Sequence, residues 1–421
     1  MKYSPTCAGY FGVLTANQSL NSRFLALIKD NPERLKTSLV FPQRIPRGSY
    51  LDEIINVQEN PKLASQQLSL ITGEYKKRLE LLGSQKSKID EVEFLNLVKV
   101  LIRYSQLKYV QDIHHAWVSD PLISLELKIL VETASSSYRL NDNLPPEVKP
   151  LRDLVDRILP NLDVGPTVYL LPIARYVVAA FRYHQESDFA FATELSKRVF
   201  DKFKDFQPQD LQQAIHASFC FRAIAMAKDL GSDFVQECMK VASNWGRLTF
   251  PNMGELEAIA AKENLYTCMQ SMSKMNLGLK RPAEALTCFD EMIRLDPFDP
   301  IAYLEKGLCL KAQNRFEEAI QNFQAATDLG PPGQALVTFL AAQSFVSLNR
   351  LEEAKKEFYR SAEFDCMAIS PWIELAELCQ QNGPKEELKL VVQQLLNNPS
   401  LQEQLSEEER IYYTGLLDSA S

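Results

Sequence analysis

From Ser49 onward, apolar residues recur every three to five positions, and no stretch alternates apolar with polar. A stripe such as Leu63, Leu68, Ile71, Tyr75, Leu79 suits one buried helical face. The stops and starts between the stripes are helical too. Asn60-Pro61 places a cap before a first-turn proline, and Gly83 ends that element, predicting a helix over 61–82. Ser49 with Asp52 and Ser87 with Asp90 have capping-box spacing, the latter opening a helix over 88–104. Asp120-Pro121 opens another, to about Glu132. Further helices are expected over 147–159, 172–184, 188–204, 209–230, 233–244 and 255–275, with Gly231-Ser232 as a stop-and-cap pair. No Asn-Gly or Asp-Gly hairpin signal is present, so no strand is expected. The chain is expected to be all-α.

Toward the C-terminus the pattern becomes periodic. Ala285 and Phe289 are followed 34 residues later by Ala319 and Phe323, and 35 residues after that by Ala354 and Phe358. Their surroundings repeat as well: "RPAEALTCFDEMIRLDP", "RFEEAIQNFQAATDLGP", "RLEEAKKEFYRSAEFDC". A period of this size marks stacked supersecondary units. Each unit reads as two antiparallel helices. They approach closely only where a side chain is small, which assigns the three alanines to the crossing, with Gly307 and Ala342 as the small partners opposite. The phenylalanines lie one turn on, on the same face. Asp296-Pro297 and Gly330-Pro331 end second helices. One unit cannot bury its own apolar face, so stacking supplies the core.

These residues resemble the tetratricopeptide repeat family. The resemblance is fullest over Pro300–Pro331, through Tyr303, Gly307, Ala319, Phe323, Ala326 and Pro331. Tyr266–Pro297 matches through Ala285, Phe289 and Pro297, with Ser273 where the family prefers Gly or Ala and Met292 in place of alanine. Ala335–Cys366 carries Cys366 in place of a proline, and a fourth unit starts near Ile369 with Trp372 and Ala376. The implied fold is an α-solenoid of helix-turn-helix repeats, tetratricopeptide and tetratricopeptide-like, with a C-terminal capping helix. "SEEERIYYTGLLDS" suits the cap: Ser406 and Glu409 form a capping box, and Ile411, Tyr412, Leu416 and Leu417 are expected to close the stack.

The expected organisation is an irregular basic segment over 1–48, a helical module over 49–140, degenerate repeats or a separate helical domain over 141–265, the repeat array over 266–400, and the capping helix over 401–421. The polar link at 134–146 marks the first module boundary. Residues 1–48 hold seven Lys/Arg against Asp30 and Glu33, with extended "VFPQRIPRG". They read as a strap or leader, or as a short partner motif. The cysteine usage favours a cytoplasmic location; the alternative is organelle targeting, suggested by the absence of acids before Asp30.

Composition removes several functions and adds none. A net charge of −8 argues against a general nucleic-acid binder. No segment reaches the ~20 apolar residues of a membrane span. The eight cysteines show no zinc-ligand spacing, and Cys220, Cys238, Cys268, Cys288, Cys309 and Cys379 read as small buried hydrophobes. There is no Walker loop, GxGxxG, HExxH or GxSxG. His114 and His115 point about 100° apart on a helix and suit packing better than one metal. His184 and His216 complete the histidines. Glu317-Glu318 and Glu352-Glu353 favour helix N-termini and are expected to pair with lysines. No cofactor, metal or catalytic residue is expected.

What remains is a surface. The resemblance implies that first helices line a concave face, which would present Thr267, Gln270, Lys274, Ile301, Leu304, Leu308, Leu336, Phe339, Gln343 and Ile373. Members of the family that grip Hsp70/Hsp90 C-terminal tails use Lys, Asn and Arg there. Only Lys274 fits, so that clamp is not expected. Burying Leu304, Leu308, Leu336, Phe339 and Ile373 would contribute roughly 7–15 kcal/mol, against an association cost of ~4–15 kcal/mol. The expected function is a non-catalytic scaffold or adaptor that holds an amphipathic helix or peptide of a protein partner. The groove's other possible occupant is the chain's own N-terminal segment. The alternative functions are an enzyme with an unrecognised site within 49–246, tied to His114 or His184, and an obligate subunit of a larger complex.

Overall fold

The computed structural model describes residues 148–420 apart from 163–164, 184–185, 227–231, 298, 330–333 and 366, together with isolated residues between 73 and 133. The expectations for 1–48, for the capping boxes at 49 and 87, for the helix over 88–104, for His114, His115 and His184, and for the links at 134–146, 231 and 330–331 lie outside the described residues, whereas the described part of the expected 61–82 helix (73, 76, 77 and 79–81) is helical, with Leu79 buried. The described residues are helical throughout, without a strand among them. The chain divides into two compact units at Pro297, between the first and second of the periodic repeats.

The first unit contains α1 (Val148–Ile158), α2 (Leu170–Tyr183), α3 (Glu186–Phe203), α4 (Leu211–Ala225), α5 (Ser232–Gly246), α6 (Glu255–Gly278) and α7 (Pro282–Leu295). Consecutive helices pair as α2 with α3, α4 with α5 and α6 with α7, and the first helices stack side by side, α2 on α4 and α4 on α6. Local chemistry sets the helix starts. Asp210 accepts from Gln213 N at 2.8 Å to cap α4, and Gly254 N donates to Glu257 Oε2 at 2.8 Å ahead of α6. The core is aromatic: Phe221 lies edge-on to Trp245 at 4.8 Å, and Trp245 Nε1 donates to Phe206 O at 3.1 Å. At the other end Tyr176 Oη donates to Asp188 Oδ1 at 2.6 Å, while Arg152 stacks on Phe191 at 3.5 Å. That cluster ties α1, α2 and α3 together.

The second unit contains α8 (Pro300–Ala312), α9 (Phe316–Leu329), α10 (Gln334–Ser347), α11 (Leu351–Phe364), α12 (Ser370–Asn382), α13 (Lys385–Asn397), a single turn at Pro399–Gln402, and α14 (Glu407–Ala420). Each helix packs on the next. The repeat letters occupy the places their sizes dictate. Ala319, Ala354, Phe323 and Phe358 are wholly buried, as Ala285 is in the first unit. A Cβ on Gly307 would sit 2.5 Å from the Phe323 ring, so glycine there is a requirement of close approach. Ser273, at the family's small position in α6, is wholly buried and turns its hydroxyl back to Gln270 O at 2.8 Å. A serine fits because its polar atom is satisfied within its own helix. The fourth pair is present as α12 and α13, with Ala376 buried.

The turns inside the pairs recur as faithfully as the core. Lys280, Asn314 and Asn349 each have φ of 58°. The following amides reach back over the helix end, Arg281 N to Asn276 O at 2.8 Å, Arg315 N to Leu310 O at 3.0 Å and Arg350 N to Phe345 O at 2.9 Å. This is the six-to-one closure of a Schellman turn, which needs a left-handed residue. Asparagine tolerates that conformation and lysine does so at a cost.

Two expectations are corrected. The acids that open α9 and α11 pair first with the arginines just before them, not with lysines: Arg315 with Glu318 at 2.6 Å and Arg350 with Glu353. A Schellman turn places those arginines three residues ahead of the acids. Lys355 does bridge Glu352 at 3.6 Å, but its shorter contact, at 2.8 Å, is to Glu387 on α13. In the cap, the Ser406–Glu409 box forms, and Leu416 and Leu417 pack on the core. Ile411 and Tyr412 are 68% and 50% exposed, however, and Tyr413 is buried in their place. The register of α14 turns its buried stripe through 413, 416 and 417.

Gly307→Val should destabilise the second unit by roughly 2–3 kcal/mol through overpacking against Phe323, read from urea unfolding. Lys280→Gly should do the opposite, stabilising by about 0.5–1 kcal/mol because the left-handed turn no longer opposes a side chain. An unchanged or lower midpoint for Lys280→Gly would contradict the turn assignment.

Candidate functional site

The first helices of the second unit are α8, α10 and α12. Their buried sides carry Ala302, Ala341, Ala342, Leu375 and Ala376. The opposite rows carry the expected groove residues, and burial sorts these into two groups. Leu308 and Leu336 are 41% and 50% exposed. Ile301, Leu304, Phe339, Gln343 and Ile373 are half-buried. Phe339 leans on Phe358 with ring centroids 5.5 Å apart, and Phe339 and Ile373 both pack on the cluster built around Phe358, Leu375 and Val391. These two residues therefore already work within the fold. Gln270 is half-buried and Lys274 exposed on α6, in the first unit.

A polar row runs beside the leucines. Lys311 Nζ donates to Gln343 Oε1 at 2.6 Å, and Gln343 Nε2 donates to Glu374 Oε1 at 3.1 Å. The amide thus bridges a cation on α8 and an acid on α12. Its own oxygen and nitrogen must point opposite ways to do so, which fixes its rotamer. Burial holds the Lys311 ammonium below its ordinary range, although Glu374 pulls the other way. Sequence reading picked out Gln343 and missed Lys311 and Glu374. The available signal was position: Lys311 lies one turn beyond Leu308, and Glu374 adjoins Ile373. Two turns back from the Lys311–Gln343 contact, along both helices, lie Leu304 and Leu336. The face is therefore graded, apolar at one end of the first helices and polar at the other.

The described cysteines and His216 are built into the core. Cys220, Cys238, Cys268, Cys288, Cys309 and Cys379 are unpaired in disulfides and buried. Burial pushes the thiol of Cys238 to about 12 and those of Cys288 and Cys379 to about 11. Thiols held so high are poor nucleophiles. His216 is buried, with Nδ1 3.0 Å from Thr167 Oγ1. Among the described residues no group of His, Cys, Asp and Glu is placed to hold a metal, and no helix is long and apolar enough to cross a membrane. A cleft of about 300 Å³ opens between α5 and α6, lined by Gln236, Lys240, Ser243, Asn244, Met272 and Asn276. Its residues include no nucleophile with an adjacent base.

Two overlapping segments, 277–333 and 310–367, match the tetratricopeptide repeat family. Residues 277–367 belong to that family. The tetratricopeptide match spans the α7–α11 region, where small crossing residues, buried phenylalanines and Schellman turns recur. No curated protein matches the chain. Among solved structures, the crystal structure of MamA is similar at 14% identity and a TM-score of 0.32, over 40% of this chain and 94% of that one. MamA residues 41 to the end from Desulfovibrio magneticus RS-1 give 15% and 0.34, over 45% and 98%. The apo quorum sensor NprR from B. thuringiensis gives 13% and 0.39, over 78% and 97%. At these values none of them bears on what this chain binds.

Lys311 supplies a test of the polar row. Its folded pKa lies below the unfolded one, so the charged ammonium costs stability at neutral pH. That cost fades as pH rises through the folded value toward the ordinary lysine value. Lys311→Met should therefore gain stability relative to the native chain near pH 7, and the gain should shrink toward pH 10. A gain that grows with pH in urea titrations would reverse the assignment.

Proposed function

We propose that the second unit is a protein-binding scaffold whose first-helix face holds an amphipathic helix or extended peptide of a partner. One observation carries the reading. Leu308 on α8 and Leu336 on α10 stand exposed on successive first helices, while Ala302, Ala341 and Ala342 on the same two helices are buried. Leu304 and Phe339 add half-buried apolar surface on the same two helices. The Lys311–Gln343–Glu374 row borders it and offers both signs of charge to a partner's polar edge. Leu308 and Leu336 are about half exposed, so covering them would contribute roughly 1 kcal/mol each, and the rest of the affinity would come from the neighbouring apolar and polar side chains. A partner helix would present apolar residues at three- and four-residue spacing to this strip.

The tetratricopeptide fold supports the reading at a coarser level, since such repeats bury their own cores and leave a continuous face free for other proteins. Gln270 and Lys274 occupy the corresponding places on α6 and are proposed to belong to the binding surface of the first unit. The described histidine and cysteines are packed into the core, which favours holding a partner over transforming a substrate.

The structure changes which substitution tests the face. Phe339→Asp would break the contact with Phe358 and unfold the repeat, so its loss of binding would mean little. Leu308→Asp and Leu336→Asp alter exposed positions and should leave the melting temperature within about 2 °C, equivalent to a few tenths of a kcal/mol. The double variant should lose a partner, recovered by affinity purification of the native full chain, by at least tenfold in Kd. Retention of every such partner at native affinity by the folded double variant would refute the proposal.

A further inference from the structure

The first unit carries a different face on its first helices. Arg175 on α2 and Arg222 on α4 both contact one ring, that of Phe219: the Arg175 guanidinium carbon lies 4.4 Å from its centroid and that of Arg222 5.3 Å. Each Nε is buried without a hydrogen-bond partner. Arg222 Nη1 donates to Ser271 Oγ on α6 at 3.4 Å. Among the described residues no carboxylate pairs with either arginine, and neither α2 nor α4 contains an Asp or Glu. The chain as a whole is acidic, at −8, so two unpaired cations sharing one ring are not a product of a basic background.

Such an arrangement is costly as it stands. Like charges repel, buried guanidinium groups lose water, and stacking on a ring returns only part of that loss. The consequence appears in their acidity. Burial and the neighbouring Arg222 bring Arg175 down to about 9, and burial lowers Arg222 as well. Arg247 and Arg152 are treated otherwise: Arg247 forks onto Glu291 at 2.5 and 2.6 Å, and Arg152 Nε donates to both carboxylate oxygens of Asp156 at 3.1 Å. Arg175, Phe219 and Arg222 are only half-buried, so their outer edges are open to a ligand. Ser271 and, one turn along α6, the exposed Lys274 continue the row of donors.

We propose that Arg175 and Arg222, which share the Phe219 ring, form with Ser271 beside Arg222 a binding site for an oxyanion, the phosphate or carboxylate group of a ligand. Two guanidinium forks converging from adjacent helices match the several acceptor lone pairs of such a group. The bound anion would remove the repulsion between them, and a rotation of each guanidinium off the ring would present its Nε–H. This site is separate from the leucine face of the second unit and stands or falls without it.

The test uses the native full chain. Phenylglyoxal modifies arginines, and peptide mass mapping reads Arg175 and Arg222 individually. Sodium phosphate, sodium acetate and sodium chloride are compared at matched ionic strength. Phosphate, acetate or both should slow modification of Arg175 and Arg222 at least threefold relative to chloride, with Arg315 and Arg350 as exposed controls that do not respond. Protection by acetate as well as phosphate marks a carboxylate-tolerant site, and protection by phosphate alone marks a phosphate site. Calorimetric titration of phosphate should be saturable, and Arg175→Met and Arg222→Met should each weaken it at least tenfold. Equal modification rates in all three salts would overturn the proposal. So would unchanged phosphate affinity in both folded Met variants.

Discussion

Everything in the second unit depends on how closely two helices can cross. Gly307 lies so near the Phe323 ring that a methyl group would overlap it, and Ala319 occupies the crossing opposite. That proximity lets the phenyl ring reach past its own pair and fill the space before the next. A larger residue at the crossing would separate the axes, and every later pair would lose its seat. Dispersion and burial supply the energy, but the steric limit at one small residue decides the geometry. The same solution recurs with Ala342 and Phe358, both wholly buried, and it explains why the period survives when most surface residues differ.

The parts of this architecture governed by residue size were legible before any coordinates. Alanine and phenylalanine recurring together at fixed spacing fit a close helix crossing and little else, and proline and aspartate mark helix ends by backbone rules. The parts governed by direction were less so. Tyr412 and Tyr413 are chemically alike, and only the packing of α14 decides which one enters the core. Phe339 reads as groove-facing by position, yet its length lets it lean into the core against Phe358. Lys311 and Glu374 escaped notice because the row they form exists only when three separate helices are aligned. Arg175 and Arg222 lie 47 positions apart in the chain by subtraction of their numbers, outside the clear period, and nothing local couples them.

The two units use their first helices differently. In the second unit these helices carry leucines and a neutralised polar row, so the face is apolar with its charges matched. In the first unit α2 and α4 carry arginines without acids, stacked on an aromatic ring. Apolar strips reward shape and tolerate many sequences, whereas paired guanidinium groups discriminate by charge and geometry. The same helical hairpin thus supports two kinds of selectivity, because the residues facing outward are free of the packing constraint that fixes those facing inward.

Neighbour-only packing also has a mechanical side. Each pair in the second unit is held chiefly by the pair before and after it, so a load applied along the chain is borne in series. The terminal helix α14 rests on α13, where Tyr413, Leu416 and Leu417 pack on the core and Tyr412 Oη donates to Gln380 Oε1 at 3.0 Å. Tension from the C-terminal end would peel this helix first and then release the hairpins one after another. The chain would behave less like a brittle block than like a spring with discrete, recoverable steps.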